Sequence, residues 1–331
     1  MSKLRVAVIG AGAMGASHVR VYSKMEDIDL IAVCDNNKET SSKVADKYKI
    51  KSYTSYEEMF ENESLDAISI SVPTKFHKEV TLCAIKNKIN VLVEKPIADS
   101  VEDAQEMIDE AKKSNVKLMV GHIERFNPVI VELKKRIENN ELGKIYKLHC
   151  DRLSPFPKRV VDVGVIIDLA IHEIDILKYL VGSEAKRVYA ETAQRIHSGH
   201  EDLLIGTMRF ENGVLGVINT NWLTPKKVRE IRVTGEKGMF VANYLTQELC
   251  LYENEFVKNL DYSEGFMNVI EGKKVEIKIE KKEPLKVELE TFIKTIVNND
   301  KSPVTGEDGL DALNIAQKFL ESSKNNKVIL P

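Results

Sequence analysis

Short apolar runs alternate with amphipathic stretches along the first third of the chain. The amphipathic stretches carry apolar residues three and four positions apart, which is the helical period, whereas the runs between them are short and uninterrupted. The predicted strands are residues 6–9, 30–34, 67–71, 91–93 and 118–120, and the predicted helices are 13–24, 38–48, 76–87 and 101–113. Parallel strands covered by helices on both faces produce this alternation, so we predict a doubly wound α/β domain.

The pattern changes after residue 121. The stretch 145–279 has one long helical run, at 165–180, and otherwise strand-like runs and turn signals such as 211–213. The predicted strands are 145–152, 187–192, 203–210, 214–221, 230–234 and 275–280, and predicted helices follow at 285–297 and 306–323. We therefore predict a Rossmann domain over 1–122 and an α+β domain over 123–331 with a large, open, mostly antiparallel sheet.

Length and charge narrow the class of protein. A chain of 331 residues, 43% hydrophobic and 30% charged, is long enough for two cores and too apolar for disorder. Its net charge of -3 provides no basic field for a nucleic acid or an anionic membrane. The sequence shows no apolar leader and no run of about 20 apolar residues, so we expect a cytoplasmic protein without a membrane segment. The four cysteines are scattered singly in apolar runs and show no paired spacing, so we expect them to be reduced thiols in the core.

The strongest motif follows the first predicted strand. Gly10, Gly12 and Gly15 satisfy the G-x-G-x-x-G spacing, with Ala13 and Met14 between them, where a strand turns into a helix. Such glycines permit a tight turn, a close approach of the backbone to a pyrophosphate, and close packing of helix on strand. A glycine-rich turn without a ligand is the alternative. The order of strand, glycines and helix favours a dinucleotide site.

Asp35 ends the second predicted strand, 20 residues after Gly15. A carboxylate there can accept hydrogen bonds from both ribose hydroxyls of an adenosine and would repel a 2′-phosphate, which favours NAD over NADP. Asp35 also suits the first position of a turn, and that alternative requires no cofactor.

Two further segments carry groups that can transfer protons. Glu94 and Lys95 follow the fourth predicted strand, at the edge of the sheet where ligands of open α/β folds bind. Desolvation at such a place can lower the pKa of a lysine enough for it to exchange protons near neutral pH. Asp168 and His172 are four residues apart on the predicted helix after Gly164, so a carboxylate and an imidazole share one face. A surface lysine and a solvated helix pair are the alternatives.

Together these motifs resemble the glucose-fructose oxidoreductase, inositol dehydrogenase and MocA (Gfo/Idh/MocA) family. The resemblance extends in order along nearly the whole chain and includes Val-Pro-Thr after the third predicted strand and Arg-Phe-Asn-Pro after the fifth. It implies an NAD-dependent dehydrogenase that oxidises a hydroxyl of a sugar or polyol, with Lys95, Asp168 and His172 as catalytic residues. The further cofactor-binding residues that it implies are Val72, Pro73, Thr74, His77, Glu94 and Lys95.

The chain departs from the family pattern at two places. Residues 162–164 read Asp-Val-Gly where the family often has three glycines, and Ala170 stands where the helix motif often has glycine. Asp168 and His172 are present despite both changes. We therefore expect the loop ahead of the helix, and with it the substrate pocket, to differ from those of the simple sugar dehydrogenases of the family.

Within this family, segments 121–128, 152–159 and 222–227 are similar to those of members that oxidise C3 of UDP-N-acetylglucosamine. That similarity implies a sugar-nucleotide substrate, a 3-keto product and an aminotransferase as the next enzyme. Cations would suit the diphosphate, although solvated surface charges explain the same residues. The candidate substrate-binding residues are Arg125, Asn127, Arg152, Arg159 and Lys226.

Other functions remain open at this point. A polyol or aldose dehydrogenase of the same family would not need the cations, and a non-catalytic NAD-binding regulator would not need Lys95, Asp168 and His172 together. No metal is expected, because only Asp168 and His172 have a recognisable ligand spacing. The open sheet should present a broad face that needs cover, so we expect a homodimer or homotetramer.

Overall fold

The computed structural model describes residues 3–157, 163–196, 199–254 and 272–331. They form two compact units, of which the first comprises Met1–Phe126 and Glu283–Asn314, and the second comprises Asn127–Lys282 and Ile315–Pro331. The predicted division at residue 122 is close to the first of these boundaries. Residues 283–314, which the prediction assigned to the second domain, belong instead to the first unit, because their apolar side chains join its hydrophobic core.

The first unit contains a parallel sheet with the strand order of dinucleotide-binding domains. Its strands, all in described residues, are β1 (Leu4–Ile9), β2 (Ile28–Cys34), β3 (Lys51–Tyr53), β4 (Ala67–Ile70), β5 (Asn90–Glu94) and β6 (Leu118–Gly121). Their order is β3-β2-β1-β4-β5-β6, so the direction of winding reverses between β1 and β4. Five strands confirm the prediction. The prediction missed β3, because this strand has only three residues and no buried apolar run.

Helices cover this sheet and begin at polar caps. They are α1 (Ala13–Tyr22), α2 (Lys38–Tyr48), α3 (Tyr56–Asn62), α4 (His77–Lys86) and α5 (Val101–Ser114). The side chains of Asn37, Ser55 and Ser100 each accept a hydrogen bond from a first-turn amide at 3.1 Å, which satisfies an amide that the helix itself leaves unpaired. The predicted helices are confirmed, and α3 is an addition to them.

The second unit is built on a mostly antiparallel sheet. Its strands in the described ranges are β7 (Ile145–Leu153), β8 (Ala185–Ala193), β9 (Leu203–Phe210), β10 (Leu215–Asn221), β11 (Val228–Gly235), β12 (Gly238–Asn243), β13 (Glu248–Glu253) and β14 (Lys274–Ile277). Their order is β14-β13-β12-β11-β7-β10-β9-β8, and β7 with β10 is a parallel pair. The six predicted strands are confirmed, whereas β12 and β13 were not predicted.

Four helices complete the described part of the chain. They are α6 (Pro128–Glu138), α7 (Ile171–Val181), α8 (Pro284–Val297) and α9 (Gly306–Asn325). α7 corresponds to the predicted helical run at 165–180, whereas α6, which precedes the stretch 145–279, was not predicted. Asn127 and Pro128 are its start signals, since the Asn127 side chain accepts a hydrogen bond from the amide of Val129 at 3.3 Å. Among these described helices, none has both the length and the hydropathy needed to cross a membrane.

Candidate active site

Glycines shape the turn between β1 and α1. Gly10 has φ +92°, and a Cβ there would lie 2.6 Å from backbone atoms of Ser71. A Cβ on Gly15 would lie 1.7 Å from the carbonyl oxygen of Gly10. At Gly12, by contrast, nothing lies within 4 Å of the Cβ position. Two of the glycines therefore allow close backbone packing, and the third leaves open space at the start of α1.

The N-terminus of α1 fits the phosphates of a dinucleotide. Gly12 caps the helix without a side-chain hydrogen bond, and no acidic residue occupies the first turn, where Ala13 and Met14 lie. Such an end carries unpaired amides and a partial positive charge, both of which favour an anion. The open space at Gly12 adjoins this end, so the residues present fit a pyrophosphate.

Asp35 joins the end of β2 to the glycine turn. Its Oδ2 accepts a hydrogen bond from the amide of Ala11 at 2.7 Å, and its Oδ1 accepts one from the amide of Asn37 at 2.9 Å. The bond to Asn37 is the turn that the sequence offered as an alternative to ribose binding. Each carboxylate oxygen can accept a second hydrogen bond. The turn and the ribose interaction are therefore compatible, and Asp35 lies next to the glycines.

His77 connects the ends of two neighbouring strands. Its buried imidazole lies between backbone carbonyls, with Nδ1 2.9 Å from the oxygen of Pro96 and Nε2 3.0 Å from that of Val72. Burial lowers the pKa of His77, so the neutral ring is favoured and donates to one carbonyl at a time. His77 thus ties the segment of Val72, Pro73 and Thr74 after β4 to the segment after β5.

Glu94 and Lys95 mark the carboxyl end of β5. Oε1 of Glu94 lies 3.0 Å from Nε2 of His18, a fully buried residue of α1. The Glu94 carboxyl group also lies 3.1 Å from the Cβ position of Gly121, at the end of β6. Lys95 follows, is half-buried, and is joined to Pro96 by a cis peptide bond. The sequence did not single out His18, whose signal is a polar residue one helical turn after Gly15.

Helix α8 adds a carboxyl group that the sequence analysis missed. Glu288 is 0% exposed, and among the described residues neither of its carboxyl oxygens has a hydrogen-bond partner. Burial raises its pKa well above the usual 4.5, and the charges of Glu94 and Glu124 raise it further. The protonated form of Glu288 is therefore favoured in the folded protein. The signal in the sequence is a glutamate on the apolar face of α8, beside Leu285 and Leu289.

Arg125 and Asn127 both have structural partners within their own units. Nη2 of Arg125 lies 3.1 Å from Oδ1 of Asp308, and both residues belong to the first unit. The Asn127 side chain caps α6 and donates to the carbonyl oxygen of Tyr244 at 3.1 Å, within the second unit. Their predicted contacts with a substrate remain predictions.

Arg152 belongs to a buried network in the second unit. It is 4% exposed, and its Nε donates a hydrogen bond to Glu173, which is also buried. The hydroxyl of Tyr244 donates to the same glutamate at 3.2 Å, and the Arg152 guanidinium lies 5.8 Å from the centre of the Tyr244 ring. Period-two alternation along β7 places Arg152 on the buried face with Cys150. Arg152 thus neutralises a buried carboxylate.

The other predicted cations differ in their surroundings. Lys226 is exposed in the loop between β10 and β11. Arg159 lies outside the described residues. The structure therefore leaves Lys226 as the predicted substrate cation with an exposed position.

Asp168 and His172 lie on the long helix of the second unit, as predicted from their spacing. The helix starts with a π turn, Ile166–Ala170, which contains Asp168, and continues as α7 with His172 in its first turn. Both residues are half-buried. π turns are rare and frequently occur at functional sites, and the sequence analysis did not foresee this one.

The sheet order, the glycine turn and Asp35 define a dinucleotide-binding protein of the Rossmann type, to which a mostly antiparallel second unit is attached. The NAD-binding Rossmann domain of the Gfo/Idh/MocA oxidoreductase family matches residues 4–122, and the family's C-terminal domain matches residues 130–241. The chain therefore belongs to the Gfo/Idh/MocA family of oxidoreductases, and its cofactor is NAD.

Relatives with defined activities align with most of the chain. Myo-inositol 2-dehydrogenase of Thermotoga maritima is 28% identical over 340 residues, covering 98% of each chain. UDP-N-acetylglucosamine 3-dehydrogenase of Acidithiobacillus ferrooxidans is 27% identical over 297 residues, covering 89% of this chain and 90% of the relative. The solved structure of the latter enzyme has a TM-score of 0.86 at 25% identity, covering 98% of this chain and 99% of that one.

Proposed function

We propose that the protein is an NAD-dependent dehydrogenase that oxidises C3 of UDP-N-acetylglucosamine to the 3-keto sugar nucleotide. The observation that carries the dehydrogenase activity is the dinucleotide turn of the first unit, with Lys95 at the end of a nearby strand. Asp168 and His172, on one helix of the second unit, are assigned to the same reaction by the family resemblance. The sugar nucleotide is supported by the enzyme from Acidithiobacillus ferrooxidans, whose structure covers nearly the whole chain. The 3-keto product is a suitable substrate for an aminotransferase.

In this proposal, three side chains handle the substrate hydroxyl. Bound NAD+ supplies the hydride acceptor. Asp168 accepts a hydrogen bond from a substrate hydroxyl, and either Lys95 or His172 takes the proton of the C3 hydroxyl as the C3 hydrogen leaves with its electron pair. The C3–O bond then becomes a carbonyl. A cationic Lys95 also stabilises the negative charge that develops on the oxygen before the carbonyl forms.

A polyol substrate is the second candidate, and one observation favours it. Arg152, assigned to the diphosphate from the sequence, pairs with the buried Glu173. Breaking such a pair to bind a ligand is costly, because it leaves a buried charge without its partner. A free polyol such as inositol requires no cation for a diphosphate, and the relative from Thermotoga maritima is named for that activity.

A substrate panel tests the proposal directly. We expect the purified protein to reduce NAD+ to NADH when UDP-N-acetylglucosamine is added. The rate of reduction should be higher with NAD+ than with NADP+, and mass spectrometry and NMR should identify a keto product. The comparison compounds, each assayed under the same conditions, are UDP, free N-acetylglucosamine, myo-inositol and a simple aldose. Turnover of inositol without turnover of the sugar nucleotide would replace the proposal by the polyol alternative. NAD binding without turnover of any compound would favour a regulator.

We also propose that a second copy of the chain covers the outer face of the second unit's sheet. Ile205 on β9 is 43% exposed on this face. Beside it lies an ion cluster in which Asp151 contacts Arg232 and accepts a hydrogen bond from Asn219 at 2.7 Å. Because these charges are already paired, covering them costs less than covering isolated ions. An open sheet face with exposed aliphatic residues favours association.

Light scattering at several protein concentrations tests this assembly. We expect a mass of two or four chains for the wild type and a smaller species for Ile205→Glu, since a charge at this position would be buried without a partner. Ile196→Glu, in an exposed segment outside β9, serves as the matched control. A wild-type protein that remains monomeric at all concentrations contradicts the proposal.

A further inference from the structure

The helix that carries Asp168 and His172 starts against a single residue from another part of the second unit. Oε1 of Glu201 accepts a hydrogen bond from the amide of Ile166 at 3.0 Å, and its backbone carbonyl accepts one from the amide of Val165 at 2.9 Å. The first amides of a helix have no partner within the helix, so Glu201 satisfies two of them. Its negative charge also lies at the positive end of the helix dipole.

Gly164 is the residue that makes room for this carboxylate. A Cβ on Gly164 would lie 2.0 to 2.2 Å from the carboxyl atoms of Glu201, which is far closer than non-bonded atoms approach. The carbonyl of Gly164 in turn accepts a hydrogen bond from the amide of Asp168 at 3.1 Å. Short contacts therefore lead from Glu201 through Gly164 to the backbone of Asp168.

Glu201 is itself held firmly by its neighbour Asp202. Asp202 is fully buried, and its Oδ2 accepts hydrogen bonds from the amides of Arg195 and Ile196 at 2.9 and 2.5 Å. Its backbone amide donates to Ala193, and its carbonyl accepts from the amide of Trp222. The backbone beside Glu201 is thus tied to β8 and to the segment after β10. A carboxylate on such an anchored backbone can define where a helix begins.

We propose that Glu201 is a positioning residue that fixes the start of this helix and, through the π turn, the placement of Asp168 and His172. Glu201 acts through the backbone of residues 164–168 and touches no reacting atom. A π turn has one more residue per hydrogen-bonded ring than an α-helix, so loss of the contact at its first amide allows the turn to relax toward α-helical geometry. Such a change displaces Asp168 relative to His172. The catalytic part of this inference rests on the proposed function.

The kinetic test compares two replacements of Glu201. Glu201→Ala removes the hydrogen-bond acceptor, and we expect kcat to fall about tenfold to a hundredfold, because a displacement of about 1 Å can cost that much. Glu201→Gln keeps an acceptor oxygen and should retain kcat within about threefold. KM for NAD+ should not change in either variant. Glu138→Ala, which removes an exposed carboxylate from α6, is the matched control.

A double-variant cycle tests the contact between Glu201 and Gly164. Gly164→Ala alone introduces the collision with the carboxylate and should lower the melting temperature. Adding Glu201→Ala removes the colliding group, so the double variant should be more stable than Gly164→Ala. Hydrogen exchange of a peptide covering residues 163–170 should be faster in Glu201→Ala than in the wild type, with other peptides unchanged.

These measurements separate the positioning role of Glu201 from the proposed dehydrogenase activity. If no compound in the substrate panel is oxidised, the proposed function fails, while the exchange rates and melting temperatures still report on the helix start. A Glu201→Ala variant with wild-type kcat overturns the positioning role, as does a defect confined to KM for NAD+. Unchanged exchange at residues 163–170 overturns the contact itself.

Discussion

Replacing Lys95 by methionine is expected to reduce kcat about a thousandfold, a far larger effect than on NAD+ binding, because proton transfer by a positioned group contributes about 10² to 10⁴ in rate. Methionine keeps the unbranched apolar stem of the side chain and removes the ammonium group, which in the proposed mechanism takes the proton or stabilises the developing alkoxide. Single-turnover NADH formation with the substrate identified in the panel measures the effect. Calorimetric titration with NAD+ measures the binding.

Lys88 provides the matched control for this substitution. It precedes β5 at the amino end, whereas Lys95 follows the same strand at the carboxyl end, and its Nζ donates to the carbonyl of Ser114 on the surface. Lys88→Met should therefore retain full activity. His172→Ala, assayed in parallel, tests the other candidate base. Near-normal single-turnover rates in both Lys95→Met and His172→Ala would contradict the catalytic assignment.

Replacing Glu288 is expected to stabilise the protein and to change how its stability depends on pH. The folded state holds the Glu288 proton more tightly than the unfolded chain does, because the folded-state pKa lies well above 4.5. The folded state therefore binds more protons from about pH 4.5 upward, and the free energy of unfolding falls as the pH rises through that range. The groups around this carboxyl are Glu94 at the end of β5, Glu124 after β6, and Tyr22 on α1.

Two variants separate the charge of Glu288 from its polarity. Glu288→Gln removes the titration, so its stability relative to the wild type should increase with pH. Glu288→Met also removes the unpartnered polar atoms and should raise the free energy of unfolding by about 1 to 3 kcal/mol at neutral pH. Urea unfolding at several pH values measures both effects. Glu290→Met, at a partly exposed position of the same helix, is the control. A Gln variant whose stability follows the wild type at every pH would refute the role of the Glu288 charge.

The part of the site that the sequence predicts is local in the chain. The glycine turn lies between a strand and the helix that directly follows it, and Asp35 and Lys95 each come directly after an apolar run. Because parallel strands of one sheet end at the same edge, strand ends identified one by one already indicate which residues share that edge. The same local signals identify the helix of Asp168 and His172 from its period.

Contacts between distant segments required the tertiary structure. The sequence indicates Arg152 as a candidate cation for a ligand, but only the fold shows that Glu173 on α7 pairs with it. Likewise, only the fold shows that Glu201, which precedes β9, contacts the helix start beside Gly164. The return of α8 to the first unit, which buries Glu288, likewise leaves no mark beyond an amphipathic pattern. Hydrophobic periodicity tells which face of an element is buried, and glycine spacing tells where a backbone turns tightly. Neither tells which partner meets that face, because pairing depends on packing between segments far apart in the chain. The dinucleotide turn was therefore determined by the sequence, whereas the neighbours of its charged groups were decided by the fold.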